Sequence, residues 1–185
     1  MALIPFADID SLPETARAVF ERLPRKLNVF RMWANAPSCF VAGMRLGGAI
    51  LAKQQLDARL RELVILLVAR LEGGTYEWVQ HVPIAENFGC RKDQIAALEA
   101  ERLDDSCFDA RDRVLLRFAG EVIRDVRASE AALQAMKAHF SPQEIVETIV
   151  TCGFYMTLAR LTETTRTDID ESGGMAVLNE LGRMG

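Results

Sequence analysis

The sequence predicts an all-helical fold, and three observations predict it. Apolar residues recur at helical spacing along nearly the whole chain, while the alternation of a half-buried strand is almost absent. Helix-start signals recur with them, at Ser11-Leu12-Pro13-Glu14, Pro37-Ser38, Asp57 and Ser141-Pro142-Gln143-Glu144. The 185 residues are 50% apolar, which suits a single domain over 1–185 with a core that needs no disulfide or metal staples.

In order along the chain, a first helix opens at Ser11-Leu12-Pro13-Glu14 and ends near Pro24. A short second helix covers 28–35. Pro37-Ser38 opens a third that runs to about Lys53, with Gly43, Gly47 and Gly48 spaced to permit close packing. Asp57 is a good N-cap for the fourth, because its carboxylate can accept the free N–H groups of the first turn. Leu60, Leu63, Val64, Leu67 and Leu71 form one stripe of that helix, and Ile65, Leu66 and Ala69 fill the opposite face. A helix apolar all round is a buried helix. Gly73-Gly74 ends it.

The next helix runs from Thr75 or Tyr76 to Phe88, with Gly89 fitted to the position just past its end. Pro83 cannot donate to the carbonyl of Val79, so a kink is expected there. Further helices are predicted over 92–103, 110–127, 130–140 and 142–162, the last with a capping box and Pro at its first position. A polar tail then leads past Gly173-Gly174 into a short amphipathic piece over 175–181. Leu56-Asp57-Ala58-Arg59-Leu60-Arg61 resembles Phe108-Asp109-Ala110-Arg111-Asp112-Arg113, 52 residues on. Read as a duplication, this implies two related helical halves; two N-capped helices could also match this well by chance.

Lys and Arg number 22 against 26 Asp and Glu, a mild net charge of -4 that offers no basic patch for nucleic acid. The longest nearly uncharged run, 63–69, is far short of the roughly 20 residues that cross a bilayer, so no membrane partner is expected. The amino terminus lacks the basic start of a secretory leader, and the four cysteines, 39, 90, 107 and 152, form no Cys-x-x-Cys pair. Four reduced thiols in the cytoplasm is the expectation.

Two histidines are present. His139 lies at the end of a helix, where the dipole favours it, and reads as structural or exposed. His81 lies in Gly74-Thr75-Tyr76-Glu77-Trp78-Val79-Gln80-His81, on one helix face with Glu77 at i,i+4. Glu62 stands 19 residues earlier, at the head of the buried helix. The Gly-Gly turn should fold the two helices antiparallel and bring Glu62 towards the Glu77–His81 face. Two carboxylates and an imidazole in a dry pocket make a proton-transfer set. The helix dipole should hold Glu77 ionised, which makes Glu62 the tunable acid. Tyr76 and Trp78 flank the set as candidate substrate-binding residues. A Glu–His pair at this spacing is also common on solvated helix faces, and Tyr and Trp are often core residues.

Arg61-Glu62-Leu63-Val64-Ile65-Leu66-Leu67-Val68-Ala69, then Tyr76-Glu77-Trp78-Val79-Gln80-His81, then Ala85-x-x-x-Gly89, resembles the carboxymuconolactone decarboxylase family, which includes alkyl hydroperoxidase D-like proteins. The resemblance covers about residues 56–98. It implies an alkyl hydroperoxidase D-like domain of about seven to nine helices, homo-oligomers (trimers or hexamers) and no cofactor; no metal is expected either, since a lone His with two carboxylates offers too few ligands at closed spacing. It also implies a catalytic set of Glu62, Glu77 and His81. The hydroperoxidase branch carries Cys-x-x-Cys-x-x-x-His; mapped here, its cysteines fall on Gly74 and Glu77, so a thiol peroxidase is disfavoured. The decarboxylase branch implies loss of CO2 from a small carboxylated lactone or related acid, with His81 as acid or oxyanion donor, Glu77 charging it and Glu62 relaying the proton. A non-catalytic small-molecule-binding oligomer is the remaining alternative. Subunit contacts are expected to fall on the apolar N-terminal segment holding Phe30, Met32, Trp33 and Phe40.

Overall fold

The computed structural model describes residues 1–171, so the 175–181 piece lies outside the described residues. These form nine α-helices with no strand: α1 Glu14–Glu21, α2 Asn28–Trp33, α3 Pro37–Lys53, α4 Ala58–Glu72, α5 Thr75–Asn87, α6 Lys92–Glu99, α7 Ala110–Asp125, α8 Glu130–His139 and α9 Pro142–Thr165. The all-helical expectation therefore holds for the described residues.

Local chemistry sets most boundaries. The Asp57 carboxylate accepts from the N–H groups of Arg59 and Leu60, which starts α4 where the sequence predicts. Gly73 ends it in the left-handed region at φ 69°, the conformation that favours glycine. Ser141 and Glu144 cap α9 reciprocally. Asp109 caps α7 much as Asp57 caps α4, so the two similar segments are both helix starts. Ser11 does not open α1. It closes a 3-10 turn over Ile9–Ser11 capped by Asp8, and the helix begins after Pro13. The Lys26 ammonium donates to the carbonyls of Phe20, Glu21 and Leu23 where α1 ends, ahead of Pro24. α5 continues through Pro83 to Asn87.

α4 is the axle. Every residue from Leu60 to Ala69 is buried, and α5, α6, α7 and α9 pack around it. Fully burying each Leu, Val or Ile on such a helix stabilises by about 1.5–3 kcal/mol, which is why a helix this apolar sits at the centre. Its burial also carries two charged residues, Arg61 and Glu62, into the interior.

The N-terminal aromatics pack within the chain rather than on its surface. Phe40 and Met32 are buried, and Phe40 joins Ala7, Ala16, Phe20 and Ala34 in a second, smaller core. α3 receives aromatic rings on its glycines. A Cβ at Gly43 would stand 2.2 Å from the Trp33 ring, and one at Gly47 would stand 2.9 Å from Phe154. The small residues thus admit side chains, where the spacing alone suggested close helix packing.

α9 extends past the predicted end at Thr162. The helix runs on to Thr165, and Thr162 and Thr165 are buried with their hydroxyls bonded back to carbonyls of Leu158, Ala159 and Leu161. The chain then folds back across α2 and α5. Asp170 accepts from the Asn28 N–H at 2.8 Å and from the Tyr76 hydroxyl at 2.5 Å, and its carbonyl accepts from Gln80. Among the described residues no helix is long and apolar enough to cross a membrane.

Candidate active site

α4 and α5, joined by the Gly73-Gly74 turn, bring Glu62 and His81 together. His81 Nδ1 lies 2.8 Å from Glu62 Oε2. The other carboxylate oxygen, Glu62 Oε1, accepts from Arg61 Nε at 3.1 Å and Nη2 at 3.0 Å. Arg61 Nη1 donates to the Leu51 carbonyl at 2.9 Å, and its guanidinium lies over the Phe88 ring. Glu62 is wholly buried and Arg61 is 4% exposed, so this is an interior ion pair with the histidine attached. A carboxylate oxygen at Nδ1 fixes the ring orientation: Nδ1–H donates, and Nε2 carries the free lone pair.

The His81 side chain lines a cavity of about 110 Å³ between α2, α3, α5 and α9. Its walls are mainly apolar, built from Leu27, Phe30, Trp33, Met44, Phe154 and Leu158. Tyr155 from α9 lines it too and meets the His81 ring edge-on, with ring centroids 4.9 Å apart. The volume is of the order of an apolar cavity that holds one small ring.

Glu77 is placed differently from its sequence expectation. It is 3% exposed, and among the described residues no Lys or Arg pairs with it. Both of its carboxylate oxygens lie 3.1 Å from the Thr162 hydroxyl, and its own backbone N–H faces them. Burial pushes its carboxyl up to about 6 against those hydrogen bonds and the nearby His81. Glu77 is therefore the carboxyl that burial makes tunable, the role that the spacing suggested for Glu62. The dipole of the first helical turn does not offset this loss of water, and the net shift is upward. Glu62 is the carboxylate matched by a guanidinium. Glu77 also does not charge the ring directly, because Nδ1 is bonded to Glu62.

Of the two flanking aromatics, Tyr76 lines the cavity and Trp78 does not. Trp78 is half-buried beside a separate shallow groove with Arg70, Gly73 and Thr75. At about 100° per residue, Tyr76 and Trp78 lie roughly 200° apart around the helix. The arc through residues 77, 80, 81 and 84 that faces the cavity includes only Tyr76.

Three participants carried no assigned role in the sequence: Arg61, Tyr155 and Thr162. Arg61 stands inside the matched motif, and its position beside Glu62 at the head of a buried helix was a usable signal. Tyr155 and Thr162 are 74 and 81 residues from His81, and only the packing of α9 on α4 and α5 brings them in.

The thiols lie elsewhere. None of the four cysteines lines the cavity, and Cys90 and Cys152 are buried, which pushes each thiol up to about 12. Position 74 has no room for one: a Cβ there would meet Glu77 Oε2 at 2.8 Å and the Ala159 Cβ at 2.9 Å. Among the described residues no three His, Cys, Asp or Glu side chains gather as metal ligands.

Residues 40–121 match the model of the Carboxymuconolactone decarboxylase family. A protein of unknown function from Agrobacterium tumefaciens, whose description suggests an AhpD antioxidant defence role, is 25% identical. That match covers 75% of this chain and 95% of the other, with a TM-score of 0.68. The alkylhydroperoxidase AhpD core of a peroxidase-related protein from Ralstonia eutropha JMP134 is 20% identical over 94% of this chain and 95% of the other, with a TM-score of 0.79. The debrominase Bmp8, solved in complex with 2,3,4-tribromopyrrole, is 16% identical over 97% of this chain and 96% of the other, with a TM-score of 0.72. The last two share the fold. No curated protein matches this sequence.

Proposed function

We propose that this chain, a member of the carboxymuconolactone decarboxylase family matched over residues 40–121, is a cofactor-free enzyme that moves a proton on a small molecule held beside His81. One observation carries the reading: a buried Arg61–Glu62–His81 chain ends at an imidazole that lines an apolar cavity. His81 Nε2 takes or gives the proton. Glu62 steadies the imidazolium that results, and Arg61 keeps that carboxylate in place. Glu62 and Arg61 are positioning residues here. Glu77 and Thr162 brace the same helix face and set its local charge.

Decarboxylation of a carboxylated lactone is the version implied by the family. The bond to the carboxyl carbon breaks, CO2 leaves, the electron pair passes into the conjugated ring, and protonated His81 returns a proton to carbon. A proton shift within the ring, without loss of CO2, uses the same groups. Among the described residues the cavity wall contains no Lys or Arg to receive a substrate carboxylate, which favours the second version. A thiol-cycling peroxidase is disfavoured by the burial of Cys90 and Cys152 away from the cavity.

The test is proton exchange. Small unsaturated lactones and cyclic enols, with and without a carboxyl group, are incubated with the protein in D2O and followed by NMR. Deuterium uptake at a ring carbon, or release of CO2 from the carboxylated members, should fall by about 10²–10⁴-fold in His81→Gln. No enzyme-dependent exchange or CO2 release from any member of the panel, or equal rates in the variant, would remove the reading. Self-association belongs to the same proposal and rests on the family and on exposed apolar residues of α9.

A further inference from the structure

The cavity offers polar atoms of a very restricted kind. Tyr76 lines it, but its hydroxyl is engaged by Asp170 and accepts from the Val29 N–H at 3.4 Å. Gln80 donates its side-chain N–H to the Asp170 carbonyl. Glu77 lines the cavity, yet both of its oxygens face Thr162 and the Gly74 turn. The Arg61 guanidinium, tied to His81 through Glu62, has its Nε, Nη1 and Nη2 taken up by Glu62 and the Leu51 carbonyl. Two polar atoms are left. His81 Nε2 and the Tyr155 hydroxyl make no hydrogen bond among the described residues, and neither is a dry orphan atom. Their rings meet edge-on.

We infer that the cavity takes a small uncharged ring bearing one hydroxyl of enol or phenol type, held between His81 Nε2 and the Tyr155 phenol. The hydroxyl donates to Nε2, which is the acceptor while Nδ1–H faces Glu62. Its oxygen accepts from the Tyr155 O–H. The ring fills the space between Phe30, Trp33 and Phe154. A carboxylate meets no Lys or Arg among the described residues of the wall and would lose its water beside Glu77. An ammonium finds aromatic faces, but the Glu77 oxygens are turned away towards Thr162. The inference rests on the reading of His81 as the proton-handling group. It adds the substrate class and assigns Tyr155 as the second anchor.

Binding tests the class without requiring turnover. Trp33 lines the cavity, so its fluorescence reports occupancy, and titration calorimetry supplies the constants. The probes are phenol, toluene, benzoate and benzylammonium at pH 7.5. Phenol should bind about tenfold tighter than toluene, as two modest hydrogen bonds imply. Benzoate and benzylammonium should each bind more weakly than phenol by about tenfold or more. Tyr155→Phe keeps the ring and removes only the hydroxyl. It should weaken phenol by about fivefold and leave toluene unchanged, with an unaltered circular dichroism spectrum. Benzoate or benzylammonium binding as tightly as phenol overturns the inference, as does no binding of phenol at millimolar concentration. An unchanged phenol-to-toluene ratio in Tyr155→Phe removes the second anchor. If the probe ladder holds but D2O exchange is absent, the proton-transfer reading falls and the pocket assignment stands. If exchange proceeds but the ladder inverts, only the substrate class falls.

Discussion

Glu62 and His81 are joined at 2.8 Å through Oε2 and Nδ1, while the opposite oxygen of the same carboxylate takes two donors from Arg61. One buried carboxylate therefore links an interior guanidinium to the ring at the cavity. An ion pair at this depth has lost its water on both sides, so its net worth is small while the loss of one member is expensive.

Glu62→Gln should accordingly destabilise the protein by about 3–5 kcal/mol, because it leaves the Arg61 charge buried without a counter-ion. Urea unfolding followed by circular dichroism reads this. The double change Arg61→Met, Glu62→Leu removes both charges and should cost less than the single change. A single variant within about 1 kcal/mol of the parent would mean that Arg61 finds water, at the value of an exposed pair.

Glu77 gives a pH signature of opposite sign to the usual carboxylate. Its carboxyl lies at 4.5 when unfolded and is pushed up to about 6 by burial in the native state. The neutral form is the one that the fold favours. Its contribution is present below pH 4.5 and is lost as the pH rises through 6, amounting to about 2 kcal/mol. Glu77→Gln stays neutral throughout. The stability gap between parent and variant should therefore move by about 2 kcal/mol in the variant's favour between pH 4.5 and 7.5. A gap independent of pH would show that Glu77 is solvated in the native protein.

What the sequence made legible was local. Asp57, Gly73, Gly89 and the Ser141–Glu144 box set helix ends by bonds within a few residues, and those ends fall where predicted. The approach of Glu62 to His81 was legible as well, because a two-glycine turn leaves the two helices little freedom but to pack antiparallel. The assignment of charge was not. Which carboxylate meets a guanidinium depends on the direction of Arg61, and the burial of Glu77 depends on Thr162 of α9, 85 residues away. Trp78 was misplaced for a simpler reason, since helical spacing identifies a shared face but not which arc of it is concave.

Gly43→Ala tests the fit of the cavity wall. The new methyl would stand 2.2 Å from the Trp33 ring, so the indole must move off α3. Overpacking of this kind costs about 1–3 kcal/mol, and the Trp33 emission should shift with it. Gly47→Ala, at 2.9 Å from the edge of Phe154, should cost less. Equal stability for Gly43→Ala and the parent, with unshifted emission, would mean that Trp33 does not rest on this glycine.

Thiol reactivity should follow burial. Cys39 is exposed, and Cys107 is half-buried with its thiol pushed up to about 11 by lost hydration and the neighbouring Asp105. Cys90 and Cys152 are buried and held near 12. A chromogenic disulfide reagent at pH 8 should consume Cys39 quickly and Cys107 slowly, and reach the other two only on unfolding. Peroxide should leave Cys90 and Cys152 reduced. Loss of Cys90 at the rate of Cys39 would reopen a thiol mechanism.

The surface of α9 carries the prediction about assembly. Val146, Ile149 and Val150 are 57%, 43% and 38% exposed, and their i, i+3, i+4 spacing puts them on one helix face. Leu46 on α3 is 43% exposed, whereas Phe40 and Met32, where the sequence suggested subunit contacts, are buried within the chain. Contiguous apolar surface of this kind is unfavourable in water and favourable at an interface between copies. Light scattering at tens of micromolar should give a multiple of 20.6 kDa, and Ile149→Asp should reduce it towards that mass with the helical spectrum intact. A parent protein of 20.6 kDa at that concentration would leave α9 a solvated face and remove self-association from the proposal.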